Sequence, residues 1–141
     1  MSSSPDISVP LLRVTRGGVQ DNLHRGVAVA VNDAGEVLMG FGEARMMRAY
    51  IRSAAKPIQA IPVLLSGAPE AFGFDEADRA IICGSHRGGA EQVAQVRSIL
   101  AKADVDEDRL KSGVGITDNC SGKHAGMLAA CRRLGLDLDG Y

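Results

Sequence analysis

Apolar positions follow two periods along this chain, short and strand-like early, longer and helical later. Residues 26–31 (GVAVAV) and 36–41 (EVLMGF) are apolar runs rich in β-branched residues, separated by Asn32-Asp33-Ala34-Gly35. Two such runs around a turn-forming tetrad predict a hairpin. Residues 53–65 are apolar and alanine-rich but interrupted by Pro57 and Pro62, which predicts a helix with an irregular start. Residues 75–83 read as a short helix opened by acidic residues. From Ala90 to Ala103, Val93, Val96, Ile99, Leu100 and Ala103 keep helical spacing, leaving Glu91, Arg97 and Lys102 for the wet face. A last helix is expected from Ser121 to Leu134, stopped by Gly135. Residues 1–10 read as a loose lead-in. An early hairpin followed by several helices predicts an α+β or mixed α/β architecture in a single domain over residues 1–141. Tyr141 follows Leu136-Asp137-Leu138-Asp139-Gly140 without a closing signal, so the expectation is a domain truncated at its C-terminus.

Composition narrows the function classes. Apolar residues make up 45% and charged residues 23% of the 141 positions, enough to bury a core. A formal net charge of −1 and the absence of Trp argue against a nucleic-acid partner. The longest apolar runs, such as residues 60–65, are too short to span a bilayer, so no membrane partner is expected. The N-terminus lacks the basic start and apolar run of a signal peptide. Three cysteines without an export signal read as reduced thiols in a cytoplasm. Cys83 and Cys131 fall in apolar settings and are expected in the core.

Three segments concentrate reactive groups. Arg52-Ser53-Ala54-Ala55-Lys56-Pro57 contains Ser-x-x-Lys, which on a helical turn puts hydroxyl and amine on one face. A neutral lysine can then take the serine proton during attack on an acyl carbon. For any lysine, lowering the amine by about three pK units costs the charged form roughly 4 kcal/mol. Burial beside another cation supplies such a push, with Arg52 or Lys123 as candidates. Pro57 disfavours helical torsions at Lys56, so the turn is expected to be 3₁₀-like or to precede the helix. The bland alternative is Ser53 as a cap and Lys56 as a solvated charge.

The second segment, Gly84-Ser85-His86-Arg87-Gly88-Gly89, lies between two expected helices. It can present Ser85 and backbone N–H groups to a carboxylate or oxyanion, or serve only as a connection. The third is Asn119-Cys120-Ser121-Gly122-Lys123-His124-Ala125-Gly126-Met127-Leu128. A Cys120 thiolate at a helix start is favoured by the dipole, and Cys120 with His124 has metal-compatible spacing. Alternatively Ser121 or Asn119 caps the helix and His124 packs against a neighbour.

Taken together, the Arg52–Pro62 segment, Ser85-His86-Arg87-Gly88 and the Asn-Cys-Ser-Gly-Lys-His block resemble the L-asparaginase II family of the rhizobial type. Val14-Thr15-Arg16-Gly17-Gly18 and His24-Arg25-Gly26 resemble that family's start. The resemblance implies an amidohydrolase releasing ammonia from L-asparagine, on a serine β-lactamase-like architecture that is incomplete here. It implies Ser53 with Lys56, and Ser85, as the catalytic centre, and Arg52, His86 and His124 near the substrate. It also implies a zinc site using Cys120 and Lys123, and a homodimer by analogy alone. The family is longer, and its later portion supplies a second lysine and another zinc-site cysteine that have no counterpart in these residues. Residues 110–119 are shorter than the family pattern. Two other readings are a serine acyl hydrolase of the penicillin-recognising kind, from Ser-x-x-Lys, and a non-catalytic remnant or half of a split enzyme.

Overall fold

The computed structural model describes residues 6–141, which fall into two compact units, one ending at Tyr50 and the other beginning at Ile51. Strands β1 (Val9–Arg16) and β2 (Val19–Gly26) form an antiparallel pair, as do β3 (Ala28–Val31) and β4 (Val37–Phe41). The second hairpin is the expected one. Gly35 N–H donates to Asn32 O at 3.0 Å and closes the predicted tetrad. The first hairpin was not legible from strand propensity. Its second strand carries Gln20-Asp21-Asn22, which β-propensity disfavours. Its turn depends on Gly17 and Gly18, both at positive φ (55° and 81°). The loose lead-in expected for residues 1–10 is thus shortened, because Val9 and Pro10 already belong to β1; residues 1–5 lie outside the described residues.

The second unit is helical, and the fold class is α+β. A 3₁₀ turn, Arg52–Ala55, runs directly into α1 (Lys56–Leu65). Lys56 itself adopts helical torsions (φ −58°, ψ −41°) despite the following proline. Pro57 is tolerated because the first turn of a helix has no backbone partner for the missing N–H. After a four-residue helix, α2 (Ala68–Ala71), come α3 (Glu76–Cys83) and α4 (Ala90–Lys102). Short 3₁₀ turns at Glu107–Arg109 and Gly115–Thr117 lead to α5 (Ser121–Leu134). Gly135 terminates α5 at φ 66°, as expected.

The core lies in this unit. All five apolar positions predicted for α4 are buried, together with Ala60, Val63, Ile82, Leu128 and others. Lys102 departs from the wet face: its ammonium reaches the fully buried Asp78 at 2.5 Å. Asp78 also accepts from Gln95 Nε2 at 2.6 Å. It exchanges reciprocal capping bonds with Asp75, both at 2.9 Å, which start α3. Cys83 is half-buried and packs against the core, Cys131 is half-buried, and the described cysteines are free.

Helix α5 packs against α1, α3 and α4. Its buried face is made of Ser121, Gly122, Ala125, Gly126, Leu128 and Ala129. Small side chains there let α3 approach closely. A Cβ on Gly122 would stand 2.4 Å from Ile81 O, and one on Gly126 2.9 Å from Ile82 Cγ1. No helix among the described residues is long and apolar enough to cross a membrane.

Candidate functional site

Three segments distant in sequence converge where α1 starts, α3 ends and α5 begins. Lys56, the first residue of α1, is only 1% exposed. Its Nζ donates to Ser85 Oγ at 2.8 Å and to Asn119 O at 2.7 Å. A buried cation ordinarily finds a carboxylate, because desolvating an unpaired charge is costly. Among the described residues Lys56 forms no ion pair, and both of its oxygen partners are neutral.

Ser53 stands apart from this contact. It sits exposed in the 3₁₀ turn, and among the described residues its hydroxyl makes no hydrogen bond. A single turn of spacing brings the Ser-x-x-Lys pair close in sequence, but Lys56 points inward and meets a hydroxyl from the loop after α3. The residue before Ser53 carries the backbone strain. Arg52 has φ 47°, a left-handed conformation that side chains other than glycine rarely adopt.

The Ser85 loop is held by a set of short-range bonds. His86 is buried, and its backbone N–H donates to Asn119 O at 3.4 Å. Gly88 N–H donates to His86 Nδ1 at 3.1 Å. Nε2 lies 2.9 Å from Ser121 Oγ, whose own hydrogen goes to Ile116 O at 2.7 Å. Since Nδ1 accepts and the Ser121 hydroxyl has spent its hydrogen, the imidazole is neutral with its proton on Nε2. Burial, and next the charge of Lys56, hold this imidazole below the ordinary histidine range, against a smaller opposing pull from Asp118. Gln92 Oε1 completes the loop, accepting from the N–H groups of Arg87 at 3.2 Å and Gly89 at 3.0 Å. An open depression of about 330 Å³ adjoins the loop, with Ser85, His86, Glu91 and Gln92 in its wall.

At the start of α5 neither Ser121 nor Asn119 caps the helix. Cys120 occupies the cap position, and its N–H donates to Asp118 Oδ1 at 2.8 Å. The Cys120 thiol donates to Asn119 Oδ1 at 3.0 Å. The Lys123 ammonium makes no hydrogen bond among the described residues. His124 is half-buried with its ring edge-on to Tyr141 at 5.7 Å, and its Nδ1 is buried without a partner. Burial and then Lys123 lower its basicity. Among the described residues no three His, Cys, Asp or Glu side chains gather to hold a metal. Cys120 and Lys123 supply one thiol and one amine, short of a tetrahedral zinc shell. They do not fit a zinc site as they stand.

Sequence reasoning placed Ser85, His86 and Lys56 among the reactive residues but missed the Asn119 carbonyl, the inward Ser121 hydroxyl and the Gln92 brace. A backbone carbonyl has no sequence signal. Ser121 carried one only as a helix-cap residue.

A family model described as L-asparaginase II matches residues 12–117 and again 114–141. The two matched stretches overlap at residues 114–117, within the segment between Leu110 and Asn119. No curated protein matches the chain.

Proposed function

The chain belongs to the L-asparaginase II family, and on that premise we propose that it hydrolyses the side-chain amide of L-asparagine through the Lys56–Ser85 pair. One observation carries this reading: a buried lysine that spends its hydrogens on a serine hydroxyl and a carbonyl, with no carboxylate partner. Structural lysines rarely accept that cost without a role in chemistry.

In the proposed mechanism Lys56, which donates to Ser85 Oγ in the resting structure, first passes one proton to solvent, and its lone pair then faces the Ser85 O–H. The Ser85 oxygen attacks the amide carbon, and its proton passes to Lys56 Nζ. Lys56 then protonates the leaving nitrogen, the C–N bond breaks, and ammonia departs from a Ser85 aspartyl ester. Water attacks that ester, gives its proton to Lys56, and the Ser85 alkoxide recovers a proton as aspartate leaves. The N–H groups of residues 86–89 are already engaged within the loop and with Asn119 O, so the Ser85 N–H is the candidate donor for the developing oxyanion. Arg52 and His124 are proposed at the substrate, where a guanidinium matches the α-carboxylate. No step runs through zinc.

A second reading keeps the reaction and makes Ser53 the nucleophile. The Ser-x-x-Lys spacing and the strained Arg52 next to Ser53 favour it. Trapping separates the two. The purified protein is given L-asparagine, quenched in acid and mapped by mass spectrometry, with ammonia release measured in parallel. An aspartyl ester on Ser85, with ammonia release abolished by Ser85→Ala, is the expected result. An ester on Ser53 moves the nucleophile there, and full turnover by Ser85→Ala overturns the proposal. Acylation by a β-lactam instead, without ammonia release from L-asparagine, would favour the penicillin-recognising reading.

A further inference from the structure

We propose that His86 is a positioning residue, a neutral imidazole that clamps the Ser85 loop onto the start of α5 and so keeps the Ser85 hydroxyl on Lys56 Nζ. The inference rests on the reading in which Lys56 and Ser85 are the reacting pair.

Each contact of the ring is satisfied inside the protein. Gly88 N–H points at Nδ1, Nε2–H points at Ser121 Oγ, and Ser121 O–H points at Ile116 O. This chain of donors and acceptors has one consistent direction, and it leaves no ring nitrogen free for a substrate proton. A second proton on the ring would set Nδ1–H against Gly88 N–H, donor against donor. An imidazole with this wiring is a brace.

The clamp acts on the reacting pair through one atom. Asn119 O accepts both from His86 N–H and from Lys56 Nζ. The loop carrying Ser85 and the amine facing it are therefore referenced to the same carbonyl. The loop cannot slide without breaking that shared contact. Gly88 presses the loop onto the same region: at φ 72° it faces Thr117, whose O would stand 2.7 Å from an added Cβ. His86 binds Ser121, Gly88 abuts Thr117, and Ile116 anchors the Ser121 hydroxyl, so the segment from 116 to 121 is a template for the loop.

The two bonds of the ring can be tested one at a time with amides. His86→Gln extends a donor toward Ser121 and cannot titrate. His86→Asn offers an acceptor near the Nδ1 position. His86→Leu supplies neither. For ammonia release, His86→Leu is expected to lose roughly 100-fold in kcat with KM little changed, since misplacing a reacting group by about 1 Å costs that much. His86→Gln is expected to recover most of the loss and to keep the wild-type pH profile. If His86→Gln is as impaired as His86→Leu, and one limb of the pH profile disappears with it, the imidazole transfers protons and the clamp is wrong.

A second readout needs no turnover. Ring ¹⁵N spectra of the wild-type protein should show His86 as a neutral Nε2–H tautomer at neutral pH, as the hydrogen-bond directions require. A ring that titrates in the ordinary histidine range, or carries its proton on Nδ1, overturns the inference. Full turnover by Ser85→Ala would instead overturn the underlying reading and leave the His86 spectrum unchanged, so the two failures are distinguishable.

Discussion

Replacing Gly122 by alanine adds one methyl group at the closest approach of α3 and α5, and its cost can be worked from the geometry. The new Cβ would stand 2.4 Å from Ile81 O, 3.0 Å from Ile81 C and 3.0 Å from Ile81 Cγ1. A relaxed carbon–oxygen contact needs about 3.3 Å, so the helices must part by about 0.9 Å. The obstruction is a backbone carbonyl of α3, which has no rotamer to escape into. Overpacking of this kind costs about 1–3 kcal/mol, and the upper part of that range applies here. Alanine returns up to about 1 kcal/mol through its better helix propensity. The net expectation is a loss of about 1–2 kcal/mol, a fall in Tm of about 5–15 °C for a unit of this size. Gly126→Ala is the internal comparison. Its Cβ would meet only carbons of the Ile82 side chain, at 2.9 and 3.0 Å, and because Ile82 is fully buried and β-branched that substitution should cost a comparable amount. Urea unfolding followed by circular dichroism at 222 nm measures both. Parting α5 from α3 also displaces Ser121 and the preceding Asn119 carbonyl. Ammonia release by Gly122→Ala should therefore fall further than its unfolded fraction accounts for. A Gly122→Ala midpoint equal to or above wild type would refute the reasoning, since it would mean that the helices separate at no cost.

The remaining predictions concern charge. Asp78→Ala leaves Lys102, Gln95 and the Asp75 N–H without their acceptor and is expected to cost on the order of 3 kcal/mol, somewhat less than a fully buried pair because Lys102 is partly exposed. Asp78→Asn, which keeps an acceptor oxygen, should lose less in the same urea titration. His86 and His124 both have their basicity lowered in the fold, from an ordinary value of 6.5. The unfolded chain then binds protons more readily, so their contribution is complete above about pH 6.5 and declines as pH falls below it. The charged groups acting on them are Lys56 and Asp118 for His86, with Lys123 added for His124. Thermal melts between pH 7.5 and 5 should show that decline, and His86→Gln should flatten it; a flat wild-type profile would contradict the burial argument. Leu128→Ala, at a fully buried site, should cost about 2–5 kcal/mol, and a loss under 1 kcal/mol would mean that the site collapses around the deletion.

The chain's local chemistry settles much of this protein before it folds. The α4 stripe of Val93, Val96, Ile99 and Leu100 is readable because helical periodicity is a property of neighbouring residues, and all four are buried. Asp75 starts α3 and Gly135 ends α5 for equally local reasons, a side-chain cap and a left-handed turn. The Asn32–Gly35 turn belongs to the same class. The β1–β2 hairpin does not, since a polar second strand carries little intrinsic signal. The order of the reactive segments was also legible, enough to suggest the family that the match over residues 12–141 supports. Which reactive groups meet was decided only in three dimensions. Lys56 has Ser53 three residues before it, yet it bonds Ser85, 29 residues on, and a carbonyl 63 residues on. Helical spacing says which side chains share a face, but not which way a buried lysine extends once its helix is packed. Likewise His86 reads in sequence as a reactive group beside a serine. Packing turned its ring toward Ser121, 35 residues away, and spent both nitrogens there and on Gly88. That contact exists because Gly122 and Gly126 let α5 close on α3, and side-chain volume at a helix crossing acts only once the helices meet.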